Sequence, residues 1–333
     1  MNKNIYRVIS TSREIAFIQS KVTHKIKIHK PLSISLVTND FIQMPSDSKK
    51  INLTKNIVPR KNIFFRKEKK TKLIASNLDH IFLIISGYPK FSPWTLMCML
   101  ARAKNQNISI SIILNKNDLI KETEEAKQEL KLMCPINFNL NKNSSMLDSW
   151  KNFGFGIIEC STFSPNGMDN IKNIIKRIQN KKINGQSKSI CFIGQSGAGK
   201  SSIMNKLIPN IKIKISEVSA VLKTGKHTTS ITNSYNYLDG NKNKSEIWLI
   251  DTPGIENFGI VDLCINSIIE IFPDWEYLIS NYGGCKFYNC KHIFEPNCVI
   301  KMLLSKYKKN INKNLKNFEY RYNLWKKFVD KLD

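Results

Sequence analysis

The chain has no long hydrophobic run, few acidic residues, and little glycine or proline. None of its apolar stretches reaches the ~18 residues a membrane span needs; the densest lies at Ile81–Ile85. Met1 to Arg13 contains no apolar segment of the kind a secretory leader carries, so no export signal is expected. With 14 glycines and 11 prolines in 333 residues, a collagen-like fibre is excluded, and 41% hydrophobic residues exclude a chain disordered throughout. Eight cysteines are spread thinly until three crowd into Cys285–Cys298. That spacing argues against a disulfide framework and for metal ligation in a reducing compartment, which points to the cytoplasm. The scarcity of acid leaves the charge lopsided: 52 Lys and Arg against 26 Asp and Glu, a formal net of +26. Such an excess favours a polyanionic partner. AT-rich codons would also enrich Lys, Asn and Ile, so charge alone does not decide the matter.

Length suggests two or three domains. Residues 1–75 read as a small β domain, with short apolar stretches at Ile5–Ile9, Ile15–Ile18, Lys25–His29 and Ile34–Val37 separated by polar turns. Residues 76–272 alternate strands and helices. Strands are expected at His80–Ile85, Ser109–Leu114, Phe155–Cys160, Ser189–Ile193 and Glu246–Ile250, with helices at Pro93–Ala103, Lys121–Met133, Met168–Ile178 and Ser201–Leu207. This is the pattern of an α/β fold with a largely parallel sheet. Residues 273–333 hold a Cys/His cluster and then a basic helical tail, whose Leu315, Phe318, Tyr322 and Trp325 recur at helical spacing.

Three motifs sit at strand ends. Gly194-Gln195-Ser196-Gly197-Ala198-Gly199-Lys200-Ser201, followed by Ser202, fits G-x-x-x-x-G-K-[ST] between a strand and a helix. Its backbone N–H groups would cradle phosphates, Lys200 would reach the β- and γ-phosphates, and Ser201 would ligate Mg²⁺. Asp251-Thr252-Pro253-Gly254 follows a strand. There the carboxylate suits a water-mediated Mg²⁺ contact and the Gly254 N–H could sense the γ-phosphate; taken alone, D-x-x-G is a common turn. Asn115-Lys116-Asn117-Asp118 fits N-K-x-D. A carboxylate at Asp118 accepts from both N1–H and the N2 amino group of guanine, donors that adenine lacks there, so it selects GTP over ATP. Asn115 would brace the phosphate loop and Lys116 would cover the base. Ser161-Thr162 could donate a backbone N–H to guanine O6, a weak signal that leans on the others. The motif order is unusual: guanine reader first, phosphate loop next, Asp251–Gly254 last. That is the order of a circularly permuted GTPase, and it leads the segment after Gly254 straight into the Cys/His module.

Cys285, Cys290, His292 and Cys298 give C-x4-C-x-H-x5-C. Three thiolates and one imidazole match a closed, structural Zn²⁺ site with no open position for catalysis. The remaining cysteines, 98, 134, 160, 191 and 264, lie in or beside apolar stretches and are expected to be inert core thiols.

Taken together, these blocks resemble the ribosome small subunit-dependent GTPases, the RsgA/YjeQ family. Val58-Pro59-Arg60-Lys61-Asn62 and Gly225-Lys226-His227-Thr228-Thr229 are also similar to family stretches, and Asn39-Asp40 stands where the family usually shows Gly-Asp. The resemblance implies an N-terminal OB-fold β-barrel (1–75), a central circularly permuted P-loop GTPase domain (76–272) and a C-terminal, mostly helical zinc domain (273–333). It also implies a monomeric cytoplasmic factor without a membrane partner. Such a factor binds GTP and GDP, engages the 30S subunit and its 16S rRNA late in maturation, and hydrolyses GTP faster on the subunit. The position after Gly254, where many GTPases carry a water-orienting Gln, is Ile255. His227 is therefore the candidate to position water, with RNA contact as its alternative role, and Thr229 the candidate to sense Mg²⁺ and γ-phosphate. Two other readings stand beside this one. In the first, the chain is a zinc-containing RNA-binding protein that holds GTP as a slow structural ligand. In the second, it is a P-loop GTPase with a tRNA or membrane-surface role.

Overall fold

The computed structural model describes residues 3–20, 25–45, 56–135, 150–151, 154–180, 187–211, 213, 231–237, 246–309 and 315–332. His227 and Thr229 lie outside these residues. No described helix is long and apolar enough to cross a membrane.

Strands β1 (Lys3–Thr11), β2 (Ile15–Gln19), β3 (Ile26–His29) and β4 (Phe41–Pro45) pair antiparallel, β3 on β2, β2 on β1 and β4 on β1. Their inward residues, among them Val8, Ala16, Ile18, Ile28, Ile42 and Met44, make a small separate core. Among the described residues no ladder joins β3 to β4. Ile34–Val37, expected as a strand, is irregular although Ile34, Leu36 and Val37 are buried. The reason is local: the Asp40 carboxylate accepts the Val37 N–H at 2.8 Å, taking a donor that a ladder would need. Asn39 has φ +75°, a left-handed conformation that asparagine tolerates in place of glycine. Its side chain donates to the Ser76 carbonyl at 2.6 Å.

The central sheet runs β12 (Ile247–Asp251), β10 (Lys188–Gly194), β7 (His80–Ser86), β8 (Ser109–Asn115), β9 (Phe155–Glu159), all parallel. β11 (Asn233–Tyr237) is antiparallel to β12 and also meets β1 at Ser10, so the N-terminal strands continue the same sheet. Every residue of β7, β10 and β12 is buried, which is why they read as unbroken apolar runs. Alternation still sorts them. Ile81, Leu83 and Ile85 face the core that holds α1 (Pro93–Asn105) and α2 (Ile120–Met133). Phe82 and Ile84 face the core that holds α3 (Asp169–Asn180) and α4 (Lys200–Leu207). The Ser92 hydroxyl caps α1, accepting from the Thr95 N–H, and Pro93 opens the helix.

The hairpin β5 (Ile63–Lys67) and β6 (Thr71–Ser76) carries the basic run 66–72 at its end. Phe64, Ile74 and Ala75 pack into the α1–α2 core. Its Lys67 N–H donates to the Gly259 carbonyl at 2.9 Å, and Arg66 donates to the Asn257 carbonyl at 2.6 Å.

Beyond the sheet come α5 (Ile265–Ile269), α6 (Pro273–Asn281), α7 (Val299–Lys309) and α8 (Leu315–Leu332). Phe318, Tyr322, Trp325 and Phe328 of α8 are buried, and Asn317 donates to the Lys131 carbonyl of α2 at 2.7 Å. The tail is therefore docked along one face. On that same face Arg321, fully buried, pairs with the equally buried Asp274 of α6. Four of the five cysteines expected to be core thiols are buried: 98, 134, 160 and 191. Cys264 is the exception and corrects that expectation: it is exposed at the start of α5, its thiol 3.2 Å from the Ser267 hydroxyl.

Candidate nucleotide site and metal cluster

The parallel strands bring motifs from three distant stretches of chain to one edge. β10 ends at Gly194 and α4 starts at Lys200; between them Gly197 (φ +78°) and Gly199 (φ +90°) take the left-handed conformation. At Gly199 the need for glycine is also steric, since a Cβ there would lie 2.2 Å from the Asn115 side-chain nitrogen. That nitrogen donates to the Ala198 carbonyl at 2.8 Å, joining the end of β8 to the loop after β10. On the other flank, a Cβ on Gly254 would lie 2.9 Å from Ser196 Cα, and the Ile255 N–H donates to the Gly194 carbonyl at 3.0 Å. Thr252 donates to the Phe192 carbonyl at 2.8 Å, locking β12's end to β10. Gln195, Ser196, Ser201 and Ser202 are half-buried around the loop.

Lys200 and Asp251 are both buried, with Nζ 3.2 Å from the carboxylate. The Lys200 ammonium and the Thr252 N–H both act on this carboxylate and favour its charged form. Burial pushes the Asp251 carboxyl above its ordinary range, and Lys200 opposes the shift without cancelling it. A buried carboxylate beside a helix start that carries Ser201 fits a hydrated Mg²⁺.

The guanine-reading residues converge at the ends of β8 and β9. The Ser161 hydroxyl accepts the Phe163 N–H at 3.0 Å and donates to Asp118 at 2.5 Å. The Asn117 N–H donates to the Cys160 carbonyl at 3.1 Å. Lys116 has φ +64° and its ammonium donates to the Tyr88 carbonyl at 2.9 Å. Burial lowers the Lys116 pKa, with Asp118 acting against that. Thr162, next to Ser161, is half-buried. Two members of this corner carried no signal in the sequence. The Tyr88 carbonyl is a main-chain acceptor. Gly167 matters only because a Cβ there would lie 2.0 Å from the Ser161 carbonyl.

The second site gathers Cys285, Cys290, His292 and Cys298, whose ligand atoms all lie within 4.8 Å of one another. His292 Nδ1 is 3.3 Å from the Cys298 sulfur and 3.6 Å from that of Cys285. Burial first, then the Cys298 and Cys285 sulfurs, push the Cys290 thiol up to about 12. Thiols crowded this way ionise together only around a cation, which is the chemistry of a metal site. The backbone is held from outside the cluster. Tyr322 donates to the His292 carbonyl at 2.9 Å and Trp325 to the Lys291 carbonyl at 2.7 Å, both from α8. The Glu295 carboxylate accepts the N–H groups of Lys291, Ile293 and Phe294.

A family model described as RsgA GTPase matches residues 57–261. The small ribosomal subunit biogenesis GTPase RsgA of Variovorax paradoxus is 32% identical over 243 residues, covering 73% of this chain and 66% of that protein. The protein of the same name from Paraburkholderia xenovorans is 31% identical over 242 residues, covering 72% and 67%. The match thus spans about two thirds of these relatives' length. Among solved structures, YjeQ from Thermotoga maritima superposes with a TM-score of 0.63 at 19% identity, covering 99% of both chains. YloQ, described as a circularly permuted GTPase, gives 0.58 at 20% identity, covering 99% of this chain and 95% of its own. At such identities the likeness is one of fold.

Proposed function

The chain belongs to the RsgA GTPase family, and on that premise we propose that it is a GTP-hydrolysing switch acting on the small ribosomal subunit late in its maturation. The observation that carries this reading is the contact between permuted motifs: Asn115, from the stretch preceding the phosphate loop, donates to Ala198 inside it.

In this reading Asp118 reads guanine, held in orientation by Ser161, while Lys116 covers the base and Asn117 and Thr162 shape the pocket's edge. Gly194 to Gly199 wrap the phosphates with backbone N–H groups, and Lys200 neutralises the β- and γ-oxygens. Ser201, Thr229 and Asp251 would hold Mg²⁺ there. The ion supplies charge neutralisation at the γ-phosphate. The Gly254 N–H binds the γ-phosphate, and its close packing on Ser196 lets that contact be felt along residues 255–263 toward the metal module. His227 positions the attacking water when the chain is on the subunit. Cys285, Cys290, His292 and Cys298 hold one structural zinc. The N-terminal strands form an OB-type barrel that, with the +26 net charge, meets 16S rRNA. The protein works as a cytoplasmic monomer.

The test is GTP turnover by pure protein, with and without 30S particles, in wild type and His227→Ala. The variant should keep GTP and 30S binding and lose most of the stimulated rate. Full stimulated turnover would acquit His227 and point to a group supplied by the ribosome; lost 30S binding would assign it to RNA contact.

A further inference from the structure

Aromatic rings that a fold does not bury stand out around the metal cluster. Phe287 and Tyr288 lie between the ligands Cys285 and Cys290, and Phe294 lies between His292 and Cys298. Tyr288 is fully exposed, Phe294 is 90% exposed and Phe287 is exposed as well. These loops are nevertheless fixed: Ile293 and Phe294 each give their N–H to Glu295, and α8 holds the Lys291 and His292 carbonyls. The rings are thus displayed by an ordered backbone, and binding would cost little ordering of the chain.

The stretch of chain that carries the rings is mostly basic. Residues 281–309 carry six lysines and a single carboxylate, Glu295. That carboxylate is occupied by three backbone N–H groups. Lys286 lies 5.7 Å from the Phe287 ring centre, and Lys306 lies 6.0 Å from that of the half-exposed Tyr282. Ring faces interleaved with ammonium groups match a ligand that alternates flat π-faces with anions, which is single-stranded nucleic acid. A protein-docking patch would be expected to be depleted in lysine beside its rings.

We propose that Tyr288 and Phe294 are stacking platforms for unpaired RNA bases, with Lys286 and its neighbours meeting the phosphates. The inference rests on the small-subunit reading above for the identity of the RNA, and it adds the contact chemistry and the residues.

The experiment uses the full chain, a fluorescent twelve-nucleotide oligouridine, 30S particles, and vesicles of phosphatidylcholine and phosphatidylglycerol. Tyr288→Ala and Phe294→Ala should each weaken oligouridine binding about tenfold. The slope of affinity against salt should not change, because no phosphate contact is lost. Lys286→Ala should do the reverse, flattening the slope. Tyr288→Trp should restore affinity, and 4-thiouridine RNA should crosslink to peptides containing Tyr288 or Phe294. Metal content and GTP affinity should match wild type in every variant. Unchanged oligouridine affinity in the doubly substituted Tyr288→Ala/Phe294→Ala protein, with crosslinks elsewhere, overturns the proposal. So does a loss confined to 30S particles, which would make the rings a protein contact, or one confined to vesicles, which would make them a membrane contact. Oligouridine binding through these rings by a chain that ignores 30S particles would instead refute the small-subunit reading and leave the stacking assignment standing.

Discussion

Asp118→Asn tests the guanine pocket with a change of one atom. In the wild type, the Ser161 hydroxyl accepts from the Phe163 N–H, so its own proton goes to Asp118 at 2.5 Å. In the variant that proton still requires an oxygen acceptor, so the amide oxygen stays on Ser161 and the amide nitrogen is turned toward the base. One guanine donor then meets a donor, and the other meets a neutral oxygen in place of a charged one. Charge-assisted hydrogen bonds contribute roughly 1.5–3 kcal/mol each, so disturbing two costs about 3–6 kcal/mol. That predicts a loss of about 10²–10⁴ in GTP affinity. Xanthosine triphosphate carries a carbonyl where guanine has its amino group, and it should bind the variant better than GTP does. Competition of both nucleotides against a fluorescent GDP reads the two affinities. GTP affinity within threefold of wild type, or GTP still preferred over xanthosine triphosphate, would refute the reasoning.

Other outcomes follow from neighbouring contacts. Asn115→Ala removes the 2.8 Å bond to Ala198 from a buried site and should weaken GTP binding by roughly 1–3 kcal/mol, measured by the same competition. Arg321→Ala strips the cation from a fully buried pair with Asp274 and should lower unfolding stability by about 3–5 kcal/mol, whereas Arg321→Met with Asp274→Leu should cost much less. Chelation should release one zinc per chain and loosen residues 281–309, read by hydrogen exchange, while GTP binding largely survives. Gly254→Ala places a methyl group against Ser196 Cα at 2.9 Å and should weaken GTP binding while sparing the metal site, measured by GTP titration and zinc analysis.

The α/β architecture was legible because buried parallel strands leave unbroken apolar runs, and each motif sat at the end of one. His80–Ser86 and Lys188–Gly194 differ from their expected bounds by a residue at one or both ends. What stayed hidden depends on contacts across the chain. Arg7 is buried with its guanidinium 2.9 Å from the Ser189 hydroxyl and stacked on Phe41 and Trp248, a junction between residues 182 positions apart. Asn39 at a usual glycine position gave no hint that its side chain would reach Ser76. Arg321 reads as a polar interruption of the tail's apolar face until Asp274 is found opposite it. Cys264 misled for a related reason: apolar neighbours report burial of a stretch, not the direction of one side chain at a helix start.

The most direct test of the whole account is steady-state GTP hydrolysis by the pure protein across a titration of 30S particles. Alone, the chain should turn over near the unassisted scale of roughly 10⁻⁴–10⁻² s⁻¹, and saturating 30S should raise the rate at least tenfold. The stimulation should fade steeply with added salt, as lysine contacts to phosphate are screened and counterions compete. A rate that is the same with and without 30S at low salt would contradict the account.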